Sequence, residues 1–266
     1  MLFNDVIGTD FMYRVVLHCV ILFAVLVNPV FASDSLTVYD EEETSQFTFG
    51  FDKDFTSRYV DRGMSYNRGM VSQSTIWLTL DDFTFSVWGN YVVYDLDDNI
   101  KNHEVDFTVV WSKSIDNFYI EPSVYYCVFP DQPDYPSTAE SNLFISYTRS
   151  MITVYSNLRV DILEYRGSVS GDLGITSSFN LYHDIQLCGD INSGWTNGKF
   201  NVVNYGIDEH LAKFQYLNFG LSLIYSPVDF LNLVPHFEYI KPFTGTLMLL
   251  SGSGLSNFGL RFEIAY

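Results

Sequence analysis

The chain has 266 residues, 47% hydrophobic and 17% aromatic, with 32 Asp plus Glu against 14 Lys plus Arg and a formal charge of −18. Its length suits one or two domains, and so much apolar side chain excludes disorder despite the charge. The acidic excess excludes nucleic acid as a partner, because its phosphates would be repelled.

The first stretch to stand out is MYRVVLHCVILFAVLVNPVFA. It places Arg14 before an apolar run that starts at Val15, followed by Pro29 and a Val30-Phe31-Ala32 ending. A basic residue, an apolar run and small residues before a cut describe a secretory signal, so residues 1–32 are expected to be a cleaved signal peptide. The competing reading is an uncleaved anchor, since Val15 to Ala32 is just long enough to span. Asp5 and Asp10 are unusual upstream of such a signal, which leaves Met1 and Met12 both open as the start. Cys19 would leave with the signal, so Cys127 and Cys188 would be the mature thiols. Residues 33–46, with the run YDEEETS, read as an acidic, solvated lead-in.

From residue 47 to 266 the chain keeps a period of two, the signature of strands whose side chains alternate between faces. Twelve such segments are read: 47–63, 72–80, 83–94, 103–112, 118–128, 141–149, 152–161, 165–176, 179–191, 214–225, 231–240 and 255–266. In the third, Phe83, Phe85, Val87, Tyr91 and Val93 share one face, while Thr84, Ser86 and Asn90 share the other. In the fourth, Val105, Phe107, Val109 and Trp111 oppose Glu104, Asp106 and Thr108. In the tenth, Leu217, Phe219, Leu221, Leu223 and Tyr225 oppose Asn218, Gly220 and Ser222. No helical pattern longer than two turns competes.

The connectors alternate too. Short ones, such as Asp81-Asp82, 112–117 and 226–229, carry turn residues, and longer ones lie between them. Short turns at one end and long loops at the other describe a transmembrane β-barrel, and an even strand count returns both termini to the short-turn side. A soluble sandwich or lipocalin-like barrel shares the alternation. Here, however, the polar face is Asp, Glu, Ser, Thr, Asn and Gly, a poor dry core, while the other face is mostly large rings and branched aliphatics. The fold class expected is therefore all-β: a closed antiparallel transmembrane barrel of about twelve strands, in which every backbone group is paired.

The chain closes on NFGLRFEIAY, where Phe258, Leu260, Phe262, Ile264 and Tyr266 alternate with small, polar or charged residues. The closing strand should pair with the first, with Tyr266 at the membrane–water boundary where amphipathic rings are favoured. The stretch resembles the C-terminal assembly signal of bacterial outer-membrane proteins. That likeness implies recognition by the barrel-assembly machinery and a place in the bacterial outer membrane, in contact with its lipid and lipopolysaccharide.

A second resemblance covers residues 54 to 95, DFTSRYVDRGMSYNRGMVSQSTIWLTLDDFTFSVWGNYVVYD. Ser57-Arg58-Tyr59-Val60, Arg62-Gly63, Gln73 and Val87-Trp88-Gly89-Asn90 resemble the first hairpin of the TorF-like group of outer-membrane proteins and its relatives, a family taken to be porins. An aromatic often precedes the Arg-Gly pair in that family, where this chain has Asp61. The likeness implies an outer-membrane barrel with a porin role.

Reactive motifs are scarce. His103, His183, His210 and His236 form no HExxH, and no Gly-x-Ser-x-Gly elbow occurs. His236 shares a face with Glu238, a spacing compatible with an acid–base pair but more often structural. Asp95, Asp97 and Asn99 echo the start of a calcium loop, yet the sixth-place glycine is missing and Asp106 stands where the loop needs Glu. No catalytic residue, cofactor or metal is expected. Cys127 and Cys188 fall on strands five and nine, which are not neighbours in a sequential barrel and lie beyond the ~7 Å reach of a disulfide.

Parity assigns Asp52, Asp54, Glu104, Asp106, Glu121, Asp172, Asp184, Asp190, Glu238 and Glu263 to the inner face, against Arg58, Arg62 and Arg261. Carboxylates lining a wet pore favour cations, so a passive, cation-preferring channel for small solutes is the expected function. The alternative is a blocked barrel with a structural or surface-interaction role, because those arginines could cross-link the acids and twelve strands enclose less than a 16-strand porin. An outer-membrane enzyme is the remaining alternative. Lys53 falls on the outward parity, where either a bulge shifts the register or the rim is near.

Overall fold

The computed structural model describes residues 47–94, 102–130, 132, 134–208 and 210–266. The expected signal peptide, the acidic lead-in up to residue 46 and the Asp95, Asp97 and Asn99 loop lie outside the described residues.

Strict alternation becomes strand almost wherever it occurs. In chain order the elements are β1 (Phe47–Thr56), β2 (Val60–Asp61), β3 (Met64–Ser65), β4 (Val71–Leu80), β5 (Phe83–Val92), β6 (Glu104–Trp111), β7 (Lys113–Ile115) and β8 (Phe118–Val128). There follow β9 (Thr138–Arg149), β10 (Ile152–Asp161), β11 (Val169–Tyr182), β12 (Ile185–Thr196) and helix α1 (Gly198–Asn204). The chain ends with β13 (Lys213–Val228), β14 (Leu231–Pro242), helix α2 (Gly245–Ser251) and β15 (Leu255–Ala265). β2 and β3 form a separate hairpin, and β7 prolongs the edge of β6 along β8. The other twelve strands pair antiparallel in sequence order and close on themselves. β15 returns to β1, with Gly50 opposite Ala265 and Thr56 opposite Gly259.

Closure leaves no free sheet edge, so the strands take their backbone hydrogen bonds from one another across a zone where water cannot help, with register shifts at Asn180/Tyr182, Gly194/Trp195 and Tyr225/Val228. Tyr266 completes the seam. Its N–H donates to the Phe49 carbonyl at 2.9 Å and its carbonyl accepts the Phe49 N–H at 3.0 Å. Its ring stacks on Phe49 and on Phe230, with centroids 5.6 and 5.5 Å away. Phe230 belongs to a short turn, so the last residue sits in an aromatic girdle at the short-turn end. Asp81, Asp116 and Ser150 hold that end's tight turns with φ of 52°, 52° and 58°, the positive values that two-residue hairpins demand.

The apolar face points outward. Ile76 and Phe258 are each 64% exposed and Phe107 is 51% exposed, a surface that only acyl chains would tolerate. The buried apolar cluster lies instead at the long-loop end, where Phe200, Tyr205, Tyr216, Ile240, Leu247 and Leu255 pack together with Val60 and Met64 of the hairpin. Asn197 caps α1 by accepting the Phe200 N–H at 2.8 Å, and Thr244 caps α2 by accepting that of Leu247 at 3.3 Å. Such caps are worth about 1 kcal/mol each.

Several boundaries differ from the sequence reading. The first strand stops at Thr56 instead of running to 63, because Arg62 and Gly63 take φ of 49° and 81° and make the two-residue turn between β2 and β3. The sixth begins at Thr138, ahead of 141. The turn expected at 177–178 falls at His183-Asp184, since β11 stays paired through Tyr182. Lys53 does face outward, and the register around it is unbroken, which excludes a bulge. It stands three residues before β1 ends at the long-loop side. Its Nζ donates to the hydroxyls of Ser72 and, at 2.8 Å, Ser74, and lies 5.3 Å from the Phe55 ring centroid. Near a rim an outward lysine costs only ~0–1 kcal/mol.

Candidate functional site

The β2–β3 hairpin leaves the barrel between β1 and β4 and folds into the lumen. Its base is tied by the buried Asn67, whose Oδ1 accepts the Tyr59 N–H at 2.6 Å and whose Nδ2 donates to the Gly69 carbonyl at 2.9 Å. Tyr59 and Tyr66 stack across the hairpin at 5.2 Å, and Tyr59 also packs on the inward ring of Trp88. Burial lifts both phenols well above the usual tyrosine range, so Tyr59 keeps the proton it donates to Glu104 at 2.7 Å.

The tip reaches two further walls. Arg62 forms a forked pair with Glu140 of β9, one arm at 2.9 Å, and Tyr125 of β8 donates to the same carboxylate at 2.6 Å. The guanidinium lies 5.2 Å from the Phe200 ring centroid of α1, and Tyr205 donates to the Arg62 carbonyl at 2.6 Å. Burial disfavours the charge on Arg62, but Asp61 and Glu140 outweigh it and raise the pKa well above the usual arginine range. Gly63 lies against the Tyr216 ring of β13, where a side chain would collide, since an added Cβ would come within 2.5 Å of that ring. The same ring covers Gly194 of β12, and its hydroxyl donates to Asp172 at 2.8 Å.

The hairpin thus divides the interior. One cavity of about 930 Å³ lies against β4 to β10, and a second of about 250 Å³ against β10 to β14. Glu104, Asp106, Glu121 and Glu140 line the larger, Asp172 and Glu238 the smaller, and Arg62 and Arg159 border both.

The remaining candidates sort by their partners. His236 approaches both carboxylate oxygens of Asp54 at 3.0 Å, so it pairs with Asp54 rather than with Glu238. That contact spans the closing strand: β14 and β1 flank β15, and the imidazole lies over Gly259, where an added Cβ would come within 2.5 Å of the ring. Arg261 pairs with Glu263 at 2.7 Å and Arg159 with Asp172 at 3.0 Å. Asp190 accepts from Tyr155 at 2.9 Å, and Glu121 from Tyr119. Asp52 stands opposite Glu263 across the seam. Arg58 and Arg62 sit beyond the end of β1 instead of on the wall, and Asp184 occupies a tight turn beside His183 instead of the inner face.

Cys127 and Cys188 are both free. Sequence reasoning missed Glu140 and Arg159. Glu140 lies one residue ahead of the segment read from 141, whereas β9 begins at Thr138. Arg159 shares the inward parity of Thr153, Tyr155 and Asn157 and was legible from it.

No protein-family model matches the chain, and no curated protein does. Among solved structures the chain is similar to a NanC porin (TM-score 0.52, 8% identity, 82% of this chain and 98% of that one). It is likewise similar to a KdgM porin (TM-score 0.52, 8% identity, 82% of this chain and 99% of that one). At such identity the likeness concerns the fold, which is that of the outer-membrane porin barrels.

Proposed function

We propose that the barrel is a passive, cation-preferring channel for small solutes in the bacterial outer membrane, with its bore set by the inserted hairpin. The observation that carries this reading is the charge left after pairing. Among the described residues Asp52, Asp106, Glu121, Asp190 and Glu238 have no cationic side chain within ion-pair distance, whereas Arg62, Arg159 and Arg261 are each paired and Arg58 is the one arginine of the expected inner-face set without an ion pair. Unpaired carboxylates along a wet lumen attract cations and repel anions. The porin fold of the neighbours agrees with a conducting role. Export by residues 1–32, contact with lipopolysaccharide, and reading of Phe258 to Tyr266 by the barrel-assembly machinery belong to the same proposal.

A second reading has its own observation. The hairpin and both helices bury Phe200 and Leu247 to 2% and 0% exposure over the long-loop mouth, which suits a plugged barrel. Planar-bilayer recording of the purified protein under a salt gradient separates the two. Discrete steps with a cation-biased reversal potential are expected for the channel. Silence from a correctly folded barrel overturns it in favour of the plug, and anion bias overturns the charge argument.

A further inference from the structure

The larger cavity holds a donor set that the ion pairs leave untouched. Asp106 of β6 stands directly opposite Cys127 of β8, and Glu104 lies two residues away on the same face of β6. One ligand atom from each lies within 4.8 Å of the others. We propose that Glu104, Asp106 and Cys127 form a binding site for a zinc-class divalent cation on the wall of the lumen.

Two observations point to a ligand beyond mere acidity. Cys127 is 5% exposed, so its sulfur is withheld from solvent and presented to the same space as the carboxylates. The Asp106 Oδ1 is sealed from solvent and meets no nitrogen or oxygen donor; the carboxyl has only the weakly donating Cys127 thiol beside it, an arrangement that costs free energy unless something else meets that oxygen. No Lys, Arg or His forms an ion pair with either carboxylate among the described residues. Tyr59 donates to only one oxygen of Glu104, Oε2, which orients the carboxylate and leaves Oε1 to ligate. Such an outer partner is what metal-binding carboxylates use to hold their direction.

The donor types choose the metal. Two carboxylate oxygens would suit calcium or magnesium, but a thiolate selects a softer ion. Three protein ligands and one open side toward the cavity match a zinc site that keeps a place for water or solute. Donor atoms around a tetrahedral zinc stand roughly 3.3–3.8 Å apart, so side-chain rotation of about 1 Å closes the set. On binding, the Cys127 thiol releases its proton to solvent and the sulfur pair forms the metal bond. The site rests on this geometry and not on conduction, so a silent barrel would bind equally.

The test uses the whole chain folded in detergent micelles, with cobalt(II) as the optical probe. The expected result is one cobalt per barrel with a thiolate-to-cobalt charge-transfer band. That band should vanish when zinc is added and survive an equal concentration of calcium. Cys127→Ser should abolish the band and weaken zinc binding at least tenfold, Asp106→Asn should weaken it at least tenfold, and Cys188→Ser should change neither. Circular dichroism and heat-dependent gel migration confirm that each variant is folded. Absence of the band from the folded parent, its persistence in Cys127→Ser, or displacement by calcium at equal concentration would each overturn the proposal.

Discussion

The wall of the barrel and the cap over its long-loop mouth solve opposite solvation problems with one chain. On the wall, Phe107 and Ile76 face outward and the carboxylates face in. In the cap, Phe200 and Leu247 are buried together with Tyr205, Tyr216, Ile240 and Leu255. The wall is stable because its apolar face meets lipid and its strands close on one another without a free edge. The cap is stable as a small water-soluble core is, by removing apolar side chains from water. Arg62 joins the two, since its pair is on the wall and its ring contact is in the cap.

That joint is where the largest effect is expected. Glu140→Ala takes the forked carboxylate from Arg62 and leaves only Asp61, at 3.4 Å, beside it, so the cost should fall at or below the low end, about 3 kcal/mol, for removing one partner of a buried pair. The hairpin should then loosen, seen as faster amide exchange over Val60–Ser65 and a larger single-channel conductance. Adding Arg62→Ala should recover part of the lost protection, because the buried cation that lost its forked partner is gone. An unchanged conductance in Glu140→Ala would show that the hairpin is held by the cap alone.

The wall is tested next. Phe107→Arg puts a cation against acyl chains and should cost about 2–4 kcal/mol at mid-depth, read as a lower urea midpoint in lipid bilayers. Phe107→Leu, which stays apolar, should fold like the parent. If both behaved alike, that face of β6 would not be meeting lipid. The smallest effect belongs to Lys53→Met. Its site near the rim, with Ser72 and Ser74 as partners, predicts a change of only about 0–1 kcal/mol, measured in the same titration.

How far the sequence reached is clearest from particular residues. The strand at Phe83 to Val92 was legible because each side chain had only two faces to choose between. Arg62-Gly63 falls at the end of the first segment read from the sequence, and only the positive φ at both positions shows a turn. Pairing across strands was less accessible still. His236 meets Asp54 over Gly259, residues 182 apart in the chain, and no local pattern announces it.

By itself, the sequence determined the strand count, the outward direction of the rings, and a closing strand ending on Tyr266, because a two-residue period and the solvent preference of each side chain are local properties. The tertiary structure alone decided that the first long loop enters the lumen, which acids keep no counter-charge, and that Cys127 stands opposite Asp106. Those depend on register and on closure of the sheet, which bring distant residues face to face only once every strand has found its neighbour.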